Sequence, residues 1–273
     1  MKDWIGREMI QRDVLTPGLL QRFRATIDSD DAGERAPQGT HWCLCLPDAR
    51  TEALDIDGHP KRGGFLPPIA LPRRMWASSA IEFHAPMTVG ANIERRSVIA
   101  DVSEKQGGSG HLVFVSVDHQ FHVDGILAIS ERQVIVYREA ARTLPAPSGT
   151  GIPDLTLWQW HRRLTPSETL LFRYSALTFN SHRIHYDLPY AMNEEGYRGL
   201  VVHGPLLATL LLDLAGRERG ANMLSRFAFR GNSPAFSGEP LHLVGRADAK
   251  AITMAVLGAD GRTVMSAEAE GFR

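Results

Sequence analysis

One ordered series of landmarks occurs twice along this chain, and a chain that repeats one pattern this way is expected to fold as two copies of one unit. In the first half IEFHAP (Ile81 to Pro86) leads to Gly90 and then ANIERRSVIAD. In the second, FAFRGNSP (Phe227 to Pro234) leads to Gly238 and then EPLHLVGRAD. Each half continues through a β-rich segment, an Asp-Gly pair and a last β-rich segment. The pairs are Asp124-Gly125 and Asp260-Gly261, each between apolar runs, which is the strongest short-range hairpin signal. Matching landmarks recur roughly 136 to 148 positions apart, so the chain divides into a first half (1–141), a linker (142–154) and a second half (155–273). The linker, RTLPAPSGTGIPD, is rich in Pro, Gly and small polar residues and lacks periodicity.

Each half carries enough meander strands for an antiparallel sheet. HLVFVSVDHQFHV (His111 to Val123) and ILAISERQVIVY (Ile126 to Tyr137) are the clearest pair, enriched in Val and aromatics. Gly107-Gly108-Ser109-Gly110 precedes the first of them with neither a following helix nor a Lys-Ser/Thr pair, so it reads as a hairpin turn and not a phosphate loop. The halves differ in one element. Pro205 to Arg217 is apolar on most of its helical surface, as a buried helix would be. Its counterpart in the first half, Leu46 to Pro72, contains HPKRGGFLPPIALP, through which no long helix can run. One half keeps a central helix and a site; the other is remodelled.

Bulk properties narrow the partners. A net charge of -1 and separated arginine pairs offset by acids give no nucleic-acid or anionic-membrane surface. The N-terminus is too polar for a signal peptide and no apolar run approaches membrane-spanning length, so a cytoplasmic location is expected. Cys43 and Cys45 would share one face of a strand as small core residues in a reducing compartment.

The chemistry gathers between Tyr174 and Leu214. There YSALTFNSHRIHYDLPYA brings Asn180 and His185 together, and LVVHGPLLATLLLDL places His203 and Gly204 at the mouth of the apolar helix. An acid/base side chain beside a helix N-terminus can move a proton while the helix end polarises a carbonyl. His182 and His185, with Asp187 or His203, could suggest a metal site. Their three-residue spacing suits a helix, however, and this stretch reads as a loop leaving a strand, so no metal is expected.

A sheet wrapped round a buried helix, present twice, is an α+β double hotdog. The segment resembles the MaoC-like hydratases and dehydratases that act on enoyl or 3-hydroxyacyl thioesters. Tyr174, Leu177, Thr178, Ile184, His185 and Ala191 match that family's motif, as do Val202, His203 and Gly204 downstream. Phe179 stands for the family glycine, Asn180 for its catalytic aspartate, His182 for its asparagine and Arg183 for its proline. The variant FNxHRIHYDxxYA with EGYxGLVVHGP resembles the branch of mesaconyl-C4-CoA and itaconyl-CoA hydratases and mitochondrial-type thioester dehydratases. GGFLPPIALPRRMW, IEFHAP and VIVYR agree with that branch, so the resemblance spans nearly the whole chain.

The resemblance implies a hydro-lyase on a short branched dicarboxylic enoyl-CoA, forming citramalyl-CoA. Coenzyme A enters as part of the substrate, with no other cofactor. Gly204 would supply the backbone N–H for the thioester oxygen. His185 would exchange the proton, its ordinary pKa of about 6.5 suiting it. Asn180, which cannot take a proton, would hold the water. Asp187 either supplies the missing carboxylate or caps the helix-like LPYAMNEEG, and His203 either joins the chemistry or anchors the turn. Arg73 and Arg74 either contact coenzyme A phosphates or a substrate carboxylate, or form a solvated pair. Trp76 reads as core. The competing functions are a fatty-acyl-type dehydratase of a 3-hydroxyacyl group carried on acyl carrier protein or coenzyme A, a thioesterase and a thioester-binding module without turnover. A double hotdog already contains two fold units, so the chain could act alone or as a homodimer.

Overall fold

A computed structural model describes residues 1–107, 110–139, 151–248 and 251–272. Among these residues, ten antiparallel strands form one continuous sheet. The first half supplies β1 (Glu8–Val14), β2 (Arg73–Phe83), β3 (Asn92–Gly107), β4 (Gly110–Val123) and β5 (Ile126–Arg138). The second supplies β6 (Trp160–Leu164), β7 (Leu224–Gly231), β8 (Leu241–Ala247), β9 (Ile252–Gly258) and β10 (Thr263–Gly271). The spatial order is β1-β3-β4-β5-β2-β7-β10-β9-β8-β6. Read inward from either edge, the two halves run through their strands in the same sequence. That is the duplication expressed as topology.

The repeated segments IEFHAP and FAFRGNSP meet at the centre. There β2 pairs with β7 in a register that sets Ala80 opposite Ala228. The two tandem sheets expected from the repeat are therefore fused, because each half covers its neighbour's open strand edge with its own. Asp124 and Gly125 both adopt positive φ, 47° and 85°, which the two-residue β4–β5 turn requires. Gly107 and Gly110 pair across β3 and β4, while Gly108 and Ser109 lie outside the described residues. Most of the linker, 140–150, also lies outside them.

Four α-helices occur among the described residues. The helices α1 (Pro17–Ile27) and α2 (Glu168–Leu177) each follow the first strand of their half, and their N-termini are capped by Thr16 and Ser167. A short α3 spans Leu188–Asn193, and α4 spans Gly204–Arg219. As its composition demands, α4 is buried along Leu206, Leu207, Leu210, Leu211, Leu212 and Leu214, with Arg217 and Arg219 at its C-terminal end. Residues 46–72 contain only the 3-10 turn Thr51–Ala53 among regular helices. Trp76 packs against the core with its ring edge-on to Trp42.

Two local expectations fail. Cys43 ends a 3-10 turn and Cys45 has φ 53°, so the pair is not on a strand, although both are free and buried. The segment from Tyr174 does not leave a strand either. It is the last turn of α2, whose Ser167 cap and apolar LLFRYSAL settle it as a helix packed on the core. None of the described helices is long and apolar enough to cross a membrane.

Candidate active site

The motif is a sharp exit from α2. Phe179 turns the chain at φ 47°, a left-handed conformation that costs a side-chain-bearing residue about 1–2 kcal/mol and explains why glycine stands there in the related motif. Phe179 is 63% exposed, so little burial offsets that strain. Asn180 Oδ1 then accepts from the His182 N–H at 3.0 Å, a local turn that occupies the amide oxygen and leaves Nδ2 as donor. A 3-10 turn, Arg183–His185, carries the histidine inward.

His185 is buried and held from both sides. Its Nδ1–H donates to Val201 O at 2.7 Å, while the Val201 N–H donates to Ile184 O at 2.9 Å. The first bond fixes the tautomer and leaves Nε2 basic. His203 stacks on it with ring centroids 3.5 Å apart, and Ser175 Oγ lies 2.8 Å from His203 Nε2. Burial pushes the His185 pKa down to about 4, against the Val201 bond, and pushes His203 well below its ordinary value with help from His185 and His182. Both rings are thus neutral near neutrality. Gly204 opens α4 with no carbonyl four residues back in the helix for its N–H.

Sequence reasoning missed a contribution from the remodelled first half. Asp57, Gly58 and His59 are stapled onto the motif: the Arg183 N–H donates to Asp57 O at 2.9 Å and Ser181 Oγ donates to Gly58 O. Gly58 has φ 87°, and a Cβ there would overlap the Ser181 carbonyl oxygen. Asp57 accepts from the His59 backbone N–H at 2.8 Å and from its Nδ1 at 3.0 Å. The His59 ring lies 4.1 Å from that of His182, which stands edge-on to His185 at 5.5 Å. Four imidazoles therefore run in a row from Asp57 to Ser175.

Burial works to raise the Asp57 carboxyl, but the two His59 bonds and the His182 ring hold it below its usual range. Burial lowers both His59 and His182, and Arg74 adds to that. Asp57, His59 and His182 bring ligand-type atoms within 4.8 Å of one another. Asp57 already accepts two bonds from His59, and the positive charge of Arg74 and Arg62 acting on His59 opposes a cation there. The only sequence signal for this group was Asp57-Gly58-His59 itself, an Asp-Gly turn inside a segment otherwise legible only as helix-breaking.

The remaining candidates separate. Arg73 is committed to a buried ion pair with Glu195 and to Glu194 O. Arg74 is half-buried and has no carboxylate within ion-pair distance among the described residues, while its charge acts on His59, His182 and Tyr137. They do not form a solvated pair. Asp187 caps α3 through the Tyr190 N–H and pairs with Arg183, so its carboxylate is already used. The arrangement offers stacked neutral bases at the mouth of α4 and, on the loop before His185, an amide fixed by its own turn. It can hold a developing oxyanion and move a proton to or from carbon or water.

The fold and this chemistry define a double hotdog hydro-lyase. Residues 39–237 match the family described as hydroxyacyl-thioester dehydratase type 2, and the chain belongs to that family. It is 43% identical to the mesaconyl-C(4)-CoA hydratase of Chloroflexus aurantiacus over 98% of this chain and 96% of that protein. It is 26% identical to the mitochondrial hydroxyacyl-thioester dehydratase type 2 of Schizosaccharomyces pombe, covering 88% of this chain and 90% of that one. Solved structures share the fold. A MaoC-like dehydratase superposes with TM-score 0.77 at 13% identity, covering 100% of this chain and 99% of that one. A Mycobacterium tuberculosis protein described as a double hotdog superposes with TM-score 0.59 at 12% identity, covering 98% and 96% of the two chains.

Proposed function

We propose that this hydro-lyase adds water reversibly to a short branched dicarboxylic enoyl-CoA, itaconyl-CoA or mesaconyl-C4-CoA, giving citramalyl-CoA. In this reading the thioester oxygen lies at the N-terminus of α4. Gly204 N–H donates to it there, and the helix dipole favours the charge that develops. Asn180 Nδ2 holds the water, and His185 Nε2 takes its proton as the oxygen bonds to the β-carbon. His203 supports His185 by stacking and is itself held by Ser175. Coenzyme A arrives with the substrate.

The observation that carries the choice of a dicarboxylic acyl group is Arg74. A half-buried guanidinium without a carboxylate partner among the described residues, its charge felt by His59 and His182, suits the free carboxylate of a C5 dicarboxylic thioester. The 43% identity to a mesaconyl-C(4)-CoA hydratase supports the same choice. The test is mass spectrometry of the purified protein with itaconyl-, mesaconyl-C4-, crotonyl- and longer enoyl-CoA thioesters in parallel. Gain of one water on the branched C5 dicarboxylic thioesters alone is the expected result. Hydration of linear chains only would move the substrate to fatty-acyl type, and free coenzyme A would mean a thioesterase. No change on any thioester would leave a binding module.

A further inference from the structure

Hydration of mesaconyl-C4-CoA, whose double bond joins the α- and β-carbons, takes one proton off the water oxygen and puts one onto the α-carbon, and the motif carries no uncommitted carboxylate for either. Asn180 cannot serve as one, and Asp187 is spent on capping α3. One carboxylate does reach the histidine row, and it comes from the other half of the chain. Asp57 holds both the backbone N–H and the ring Nδ1 of His59, which sets that ring's tautomer and points its charge-stabilising partner. The placement is built and not incidental. Arg183 donates from its backbone to Asp57 O and from its side chain to Ile56 O, and Gly58 fits where no side chain could.

We propose that the Asp57–His59 pair, delivered by the remodelled first half, is the second acid/base group of the hydration; this rests on the functional reading above. His59 is the ring of the row with a carboxylate bonded to it, and Asp57 stabilises the imidazolium formed when a second proton is taken up at Nε2. As the water oxygen bonds to the β-carbon, its proton passes to His185 Nε2. The π pair of the double bond moves to the α-carbon, and the His59 imidazolium delivers a proton there. The proton on His185 then leaves to solvent and His59 regains one from it, so the enzyme ends the turnover as it began. The groups facing His59 are Asp57, His182, Arg74 and Arg62. The two arginines oppose a proton on it. A substrate carboxylate bound at Arg74 offsets part of that opposition, coupling substrate charge to readiness for catalysis.

The test compares wild type, His59→Gln, Asp57→Asn and His185→Gln by kcat, KM and pH-rate profile from about pH 6 to 9 on mesaconyl-C4-CoA. Thermal unfolding of each whole chain is measured alongside. For His59→Gln, kcat is expected to fall at least about 100-fold with KM within about threefold, the scale of a lost acid/base group. For Asp57→Asn, the alkaline limb of the profile is expected to move to lower pH, a change that a purely structural role would not produce. The Asp57 variant carries the test if His59→Gln does not fold. A kcat for His59→Gln within about threefold of wild type, or an unmoved profile for Asp57→Asn, overturns the proposal. If His185→Gln is then still inactive, the functional reading survives. Loss of wild-type turnover on chelation with EDTA, restored by zinc, overturns it in favour of a cation on these side chains. No hydration by the wild type removes both readings.

Discussion

His185 and His203 lie ring on ring with centroids 3.5 Å apart, two buried imidazoles that cannot both carry a charge. The stack makes neutrality of the pair a condition of the folded state. It also keeps His185 Nε2 unprotonated and available as a base.

Stability should therefore depend on pH in a defined window. The folded-state values of His182, His185 and His203 are all lowered, that of His185 to about 4, from an unfolded value near 6.5. Above about pH 6.5 neither state binds these protons, and the stability is fully present. As pH falls below that, the unfolded chain gains protons that the folded chain refuses. Each histidine then removes up to about 1.4 kcal/mol per pH unit until its folded value is reached. Urea unfolding between pH 7 and 5 should show this decline, and His203→Gln should flatten it by about one proton. A flat profile for the wild type would contradict the burial argument.

Replacing His185 by Gln keeps a polar side chain of similar size but removes the proton carrier. Hydration kcat should fall about 10²- to 10⁴-fold, with the melting temperature changed by only a few degrees. Full activity in this variant would exclude His185 as the acid/base group.

Gly58→Ala is expected to be costly for one methyl group. The position has φ 87° and its Cβ would overlap the Ser181 carbonyl oxygen, so the 57–59 segment must lift off the motif. A loss of about 2–4 kcal/mol together with most of the activity should follow, measured by urea titration and steady-state rates. Wild-type behaviour would mean that the staple is dispensable.

Two adjacent arginines should respond in opposite ways. Arg73→Met strands the buried Glu195 and should destabilise the fold by about 3–5 kcal/mol. Arg74→Met should leave unfolding nearly unchanged but raise KM for mesaconyl-C4-CoA, with little effect on crotonyl-CoA, which has no second carboxylate. Equal effects on both thioesters would remove Arg74 as the carboxylate contact.

Much of this was legible in the chain itself. The repeat appears as a strand order that reads alike from both edges, and the leucine-rich stretch after Gly204 is the buried α4. These patterns are local, since hairpin turns and apolar faces are written in neighbouring residues. Phe179 was visible as a departure from a glycine, and its positive φ gives that departure a physical meaning. The helix ending at Leu177 was misread as a strand because its aromatic and leucine content suits either element, and packing on the core decides between them.

The amino-acid sequence by itself determined the two-unit plan and the buried central helix that opens at Gly204. Only the tertiary structure decided that the two sheets fuse through β2 and β7 and that Arg73, but not Arg74, is consumed by an ion pair. It also decided that Asp57 and His59 stand beside His182, more than a hundred positions away in the chain. The reason is the range of the forces. Turn chemistry and helix burial follow from adjacent side chains. A carboxylate meets its histidine row only after long loops close, and nothing in either segment alone records where that closure brings them.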